Sequence, residues 1–221
     1  LIGLLNGVLV AVCNIIPLIA TIGTMYIFRG FCEMIMTSNL AMSLRGFPQS
    51  FLNFGSMTFL GVYPMLWIMI VLLVVTEFIL KRTYFGRQLY YIGGNPSSAR
   101  SLGFNVKGAI IVCFVISGTL AALAGVLSIA RFQSASRYLG QGLQMDILIA
   151  CIIGGGSLMG GKGDMKGSFF GTEYVAQLES AFNLFEINSL FKSVVVGAAL
   201  ILVVLFDGYV HLKKMRELGK V

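Results

Sequence analysis

The stretch Val62-Tyr-Pro-Met-Leu-Trp67-Ile-Met-Ile-Val-Leu-Leu-Val-Val-Thr-Glu77-Phe-Ile-Leu80 decides the fold. It is apolar nearly end to end, without the sustained alternation of a barrel strand, and about twenty such residues cross a bilayer as a helix. Working outward, further apolar segments occupy roughly 1–12, 17–36, 107–129, 146–158, 167–184 and 189–206, seven in all. The first and the fifth of the seven are short for a full crossing, and the fifth runs into Gly154-Gly155-Gly156.

Composition agrees. The 221 residues are 57% hydrophobic and only 11% charged, with mean hydropathy +0.89. Soluble domains carry about a quarter charged residues, so a water-soluble enzyme is excluded. The expected fold is all-α, a polytopic transmembrane helical bundle of about seven spans with short loops. The net charge of +7 invites a nucleic-acid reading, but in so apolar a chain it points to loops rich in Lys and Arg, and no nucleic-acid partner is expected. The four cysteines, Cys13, Cys32, Cys113 and Cys151, lie far apart in apolar runs, without CxxC or metal-ligand spacing. No metal site is expected.

One set of alternate loops holds Lys81, Arg82, Arg87, Arg100 and Lys107, then Lys162 and Lys166, then Lys213, Lys214, Arg216 and Lys220, eleven of sixteen basic residues. The positive-inside bias places that set, and the C-terminus, in the cytoplasm. The chain opens at Leu1 within an apolar run and lacks a basic n-region, so no signal peptide is read there. Residues 1–221 read as a single transmembrane domain that lacks N-terminal helices, with 81–106 as its longest cytoplasmic loop.

In that loop Gly93-Gly94-Asn95-Pro96 signals a turn. Ser97 or Ser98 is placed to cap a short helix ending near Gly103. The loop is either a small-sided basic knuckle that docks a soluble partner or an ordinary positively charged loop.

Further along, Gly156-Ser-Leu-Met-Gly-Gly161-Lys162 has phosphate-loop spacing as far as the Lys, but Gly163 stands where Ser or Thr would reach magnesium. No soluble βαβ unit surrounds it. The better reading is a glycine-rich reversal between helices. Gly156 and Gly160, and Gly163, Gly167 and Gly171, recur every four residues, as do Gly118 with Ala122 and Ala121 with Gly125. Small residues at that interval let helix backbones approach in lipid. Arg29 with Glu33, and Glu77 with Lys81, are spaced to pair along one helix. Asp146 is placed as an N-cap. The hydroxyl and amide side chains Asn14, Thr21, Thr24, Ser117, Thr119, Gln177 and Asn183 are the candidate pathway-lining residues. No cluster of nucleophile, base or metal ligands marks a membrane enzyme.

Gly86-Arg87, Tyr91-Ile-Gly-Gly-Asn95, Ala99-Arg100 and Gly103 closely resemble the cytoplasmic coupling loop of sugar-type ABC-transporter permeases, the ribose-permease family of bacterial importers. The resemblance continues through Ser117-Gly-Thr-Leu-Ala-Ala-Leu-Ala-Gly125, Gln133-Ser-Ala-Ser136 and Ile152–Gly163, and upstream through Gly3–Gly7, Ile16-Pro17, Thr21–Met25 and Arg29-Gly30. One departure is Ser98, where a second Ala often precedes Ala99-Arg100.

The resemblance implies a multi-pass inner-membrane permease subunit, paired with a second permease subunit as a homo- or heterodimer. It also implies a cytoplasmic ABC ATPase that uses ATP and magnesium, no cofactor on this chain, and a secreted binding protein delivering a monosaccharide. In that picture Arg87, Gly93, Gly94, Asn95, Ala99, Arg100 and Gly103 form the ATPase-coupling loop. Import of a sugar-like signalling molecule by the same machinery and an ion-coupled secondary transporter are the alternatives.

Overall fold

The computed structural model describes residues 1–38, 43–44, 46–59, 61–136, 138–157 and 160–185, and beyond these 194, 197–198, 201, 205 and 208–209. The elements in chain order are α1 (Ile2–Ala11), α2 (Pro17–Ser38), β1 (Ser43–Leu44), α3 (Gln49–Ser56), α4 (Pro64–Arg82), α5 (Tyr84–Gly94), α6 (Pro96–Ser101), α7 (Val106–Phe132), β2 (Ala135–Ser136), α8 (Leu143–Ile153) and α9 (Met165–Leu184). The two strands are a minimal antiparallel pair, Ser43 opposite Ser136 and Leu44 opposite Ala135.

Six of the seven expected apolar segments are helical, and the seventh, 189–206, lies mostly outside the described residues. Among those residues three helices are long and apolar enough to cross a membrane: Pro17–Ile35, Pro64–Arg82 and Val106–Phe132. The 27 residues of α7 rise about 40 Å, ample for a hydrocarbon layer of about 30 Å. The 11 residues of α8 rise only about 16 Å and do not cross alone. A helix the sequence reading did not anticipate, α3, sets Gly55 against the Ala130 carbonyl of α7.

The chain divides into two compact units, Leu1–Leu72 with Ser97–Gly140, and Leu73–Pro96 with Gln141–Val221. Both are built of close backbones rather than large buried side chains. Among the described residues the buried apolar set is dominated by Ala11, Ala20, Ala99, Ala109, Ala130 and Ala150, and no large side chain is fully buried. In α4 no residue is buried, while Leu66, Trp67, Ile70, Val74 and Phe78 stand exposed. Water would make that arrangement untenable, whereas lipid solvates it.

In the first unit α1 lies against α7 through glycine. A Cβ on Gly7 would stand 2.9 Å from the Ile111 Cα, one on Gly3 would strike the Phe114 carbonyl, and one on Gly118 would stand 3.0 Å from the Gly3 Cα. The small-residue spacing of α7 is therefore used at Gly118. Gly125 has nothing within 4 Å and Ala122 is exposed, so those two are not at a helix contact among the described residues. α1 is tied to α2 by the Thr24 hydroxyl, which donates to Asn6 Oδ1 at 2.8 Å with both residues buried. Thr24→Val is expected to destabilise the protein by about 1 kcal/mol, the scale of one interhelical hydrogen bond in a membrane protein. An SDS unfolding titration reads this, and Thr24→Val with Asn6→Leu should regain part of the loss because no acceptor is left unpaired.

At one end of this unit Tyr63 and Trp67 stand at the start of α4. The Arg131 guanidinium lies 4.2 Å above the Tyr63 ring, and Trp67 Nε1 donates to the Phe59 carbonyl at 3.4 Å. Such aromatic and basic groups mark the water interface of a span. Arg29 and Glu33 sit one turn apart on α2, but no ion pair joins them among the described residues.

In the second unit α8 and α9 form a hairpin whose contact is glycine on glycine. A Cβ on Gly154 would strike the Gly167 carbonyl, one on Gly167 the Gly154 carbonyl, and one on Gly171 the Ala150 carbonyl. Gly156, Gly160 and Gly163 lie in the reversal between the helices, not on a helical face. Asp146 is not the N-cap of α8. Gly142, at φ +91°, starts the helix earlier and leaves Asp146 in the first turn, where it still favours the helix dipole. Glu179 lines a small cavity between α8 and α9 with Asp146 and Thr172, whereas Glu173 is exposed.

Candidate functional site

The segment expected as a loop with one short helix is two helices joined at Asn95. Thr83 turns the chain out of α4. Its hydroxyl donates to the Ile79 carbonyl at 2.6 Å and accepts from the Gly86 amide at 3.2 Å, which caps α5. Gly86 is required there, because a Cβ would strike the carbonyls of Ile79 and Leu80. Gly93 and Gly94 do not form the turn. They complete the last turn of α5, and Asn95, in extended backbone, ends it. Pro96 then opens α6 as its first residue, a position where its missing N–H costs nothing. Ser97 and Ser98 consequently lie inside α6 rather than capping it. The end of α6 matches expectation. Gly103 takes φ +83°, its amide donates to Arg100 and that of Phe104 to Ala99, a Schellman closure.

The inner face of α5 meets the glycine-rich reversal. A Cβ on Gly93 would stand 2.6 Å from the Gly161 nitrogen, one on Gly160 2.5 Å from the Gly93 carbonyl oxygen, and one on Gly161 2.7 Å from the Gly94 Cα. One helical turn earlier the Tyr90 hydroxyl donates to the Gly163 carbonyl at 2.7 Å. At the end of α4, Lys81 Nζ lies 2.6 Å from Glu77 Oε1, the pairing their spacing implied, and 3.0 Å from Asp164 Oδ1. The Lys81 ammonium donating to Asp164 holds that carboxyl below its ordinary value. A cavity of about 280 Å³ opens beside these contacts, lined by Leu80, Leu89, Tyr90, Lys162, Met165 and Ser168.

The seven residues expected to form a coupling loop thus part into two groups. Gly93 faces the reversal and Ala99 is buried, 2% exposed. Arg87, Gly94, Asn95, Arg100 and Gly103 are exposed, and among the described residues a Cβ on Gly94 would meet nothing within 4 Å. The outer face of α5 also carries Tyr84 and Tyr91, 65% and 62% exposed. Those two tyrosines, with Tyr90 and Asp164 on the inner side, were not among the expected site residues. Their period along 84–94, with glycine at 86 and 93 on the opposite face, was the signal available.

The candidate pathway residues do not converge on one place. Asn14 sits between α1 and α2 at φ +54°. The Thr21 hydroxyl donates to the Pro17 carbonyl at 2.9 Å and the Thr119 hydroxyl to Ile116 at 2.8 Å, both back onto their own helix. Ser117, Gln177 and Asn183 are exposed, the first on α7 and the others on α9. Thr24 alone is buried, holding α1 to α2.

Comparison with known proteins covers almost all of the chain. The family described as the branched-chain amino acid transport system / permease component matches residues 1–204. The autoinducer 2 import system permease protein LsrC of Klebsiella pneumoniae is 34% identical over 206 residues, 93% of this chain and 59% of the relative. The ribose import permease protein RbsC of Haemophilus influenzae is 34% identical over 218 residues, 97% of this chain and 67% of the relative. LsrC of Escherichia coli is 33% identical across 99% of this chain and 63% of its own length. The chain therefore spans about six-tenths to two-thirds of the length of these relatives. No solved structure matches. With apolar helices solvated by lipid and this similarity along nearly its whole length, the chain is an integral membrane protein that belongs to the ribose-permease family of ABC-importer permease components.

Proposed function

We propose that this protein is a membrane-spanning permease subunit of an ATP-driven ABC importer in a bacterial inner membrane, and that it carries a monosaccharide inward. The observation that carries this reading is the similarity to ribose and autoinducer 2 import permeases over more than nine-tenths of the chain. The subunit pairs with a second permease subunit, takes substrate from a secreted binding protein, and leaves ATP and magnesium to a separate cytoplasmic ATPase. The basic 81–107 and 162–166 segments and the C-terminus face the cytoplasm. Exposed Arg87, Asn95 and Arg100 meet acidic and polar groups of the ATPase, with Gly94 and Gly103 giving close approach. Asn14, Thr21, Ser117, Thr119, Gln177 and Asn183 offer an uncharged sugar hydroxyl and amide partners along the pathway, and Thr24 holds the helices that frame it. A sugar-like signal is a second substrate reading, favoured by the autoinducer 2 permeases among the relatives.

The test is uptake into proteoliposomes holding the intact permease with its ATPase. Labelled ribose or autoinducer 2 is presented with the binding protein, with ATP supplied on the ATPase side. Uptake is expected to require ATP and to survive ionophores that collapse ion gradients. Uptake driven by an ion gradient without ATP overturns the reading in favour of a secondary transporter.

A further inference from the structure

On the reading just proposed, force from the ATPase enters at the exposed end of α5, and the structure bears on where it goes next. Three separate contacts tie α5 and the end of α4 to the reversal between α8 and α9. The first is backbone on backbone, with Gly93 and the Gly94 Cα seated on Gly160 and Gly161 so closely that Gly93, Gly160 and Gly161 have no room for a Cβ. The second is the Tyr90 hydroxyl on the Gly163 carbonyl. The third is Lys81 bridging Glu77 of its own helix to Asp164, the residue before α9. The cavity beside them leaves Leu80, Leu89 and Met165 incompletely packed. These three contacts hold the register of α5 on the reversal. On its far side the reversal continues directly into the α8–α9 hairpin, itself locked by Gly154, Gly167 and Gly171.

We propose that Gly160, Gly161, Tyr90 and the Lys81–Asp164 pair are positioning residues that key α5 to the α8–α9 hairpin, so that a displacement of α5 carries both helices with it. Gly93 then serves an internal joint, and Gly94 beside it presents the outward surface. The glycines at 160 and 161 are doubly constrained, since both adopt positive φ (+86° and +73°) as well as lacking room.

The experiment compares ATP hydrolysed with substrate imported in proteoliposomes of the intact importer. The variants are Gly161→Ala, Tyr90→Phe, Asp164→Asn and Asp164→Glu. Tyr90→Phe keeps the ring and loses only the hydroxyl. It is expected to leave ATPase association and basal hydrolysis unchanged while import per ATP falls about fivefold, the scale of one lost hydrogen bond. Asp164→Asn is expected to do the same and Asp164→Glu to restore coupling. Gly161→Ala should have the largest effect on the ratio. A purely structural role would instead lower the yield of assembled complex and leave the ratio of import to hydrolysis intact. Wild-type ratios in Tyr90→Phe and Asp164→Asn overturn the inference while leaving the importer reading standing. A wild-type protein that imports without ATP overturns the importer reading itself.

Discussion

Gly167→Leu is expected to prevent α8 from packing on α9, whereas Gly125→Leu on α7 leaves the fold intact. A Cβ at Gly167 falls on the Gly154 carbonyl, an atom of main chain that cannot rotate away as a side chain would. The reciprocal contact, Gly154 on the Gly167 carbonyl, and the next one along, Gly171 on Ala150, leave the helices no shift that relieves one clash without making another. In lipid no hydrophobic gain drives helices together, so close packing is what holds the hairpin. The expected loss is about 3 kcal/mol or more, at or beyond the upper range for overpacking. Gly125 lies on the apolar helix α7 with nothing within 4 Å among the described residues, which makes it the control. SDS unfolding titrations should show Gly167→Leu unfolding far below wild type and Gly125→Leu beside it. Equal midpoints for the two variants would remove the argument.

The second large effect concerns Gly94. Gly94→Trp is expected to insert and fold normally yet lose ATPase-driven transport by at least tenfold, about the loss caused by removing an interface hot spot. The Cβ direction of Gly94 meets nothing within 4 Å among the described residues, so an indole there leaves the end of α5 without a clash at its root, where the ATPase is proposed to dock. Gly93→Trp should behave differently, because its Cβ direction ends on the Gly161 nitrogen and the variant should fail in yield rather than in coupling. Two adjacent glycines thus predict two different defects. Normal transport by a well-expressed Gly94→Trp protein would show that this surface is not the docking surface.

Much of this was legible in the sequence, because the helices that face lipid announce themselves by composition and length. The stretch at 62–80 and the α4 helix at 64–82 differ by two residues at each end. What was misread depended on contacts. Gly93 and Gly94 carry the signal of a turn, yet their seat on the reversal holds them helical, tertiary packing overriding a weak local preference. α3 was missed because eight residues with Gln49, Ser50 and Asn53 among them lack the apolar run that marked the other helices.

Glycine spacing was informative about which faces are able to pack and silent about which do. Gly3 and Gly7 have the same interval of four as Gly118 and Ala122, but only the former pair lies wholly against a neighbour. Glu77 and Lys81 paired as their spacing implied. Asp164 as the second partner of Lys81 was out of reach of any local reading, since the two lie far apart in sequence.

The scarcity of large buried side chains has a consequence for how this protein tolerates change. In a water-soluble domain the expensive positions are the big core residues and the cheap ones are on the surface. Here that map is turned inside out. Ile70, Val74 or Phe78 can exchange for other lipid-soluble side chains with little to lose, while at Gly154 or Gly167 a single added methyl has nowhere to go. The information that specifies the fold is concentrated in the residues with the least side chain.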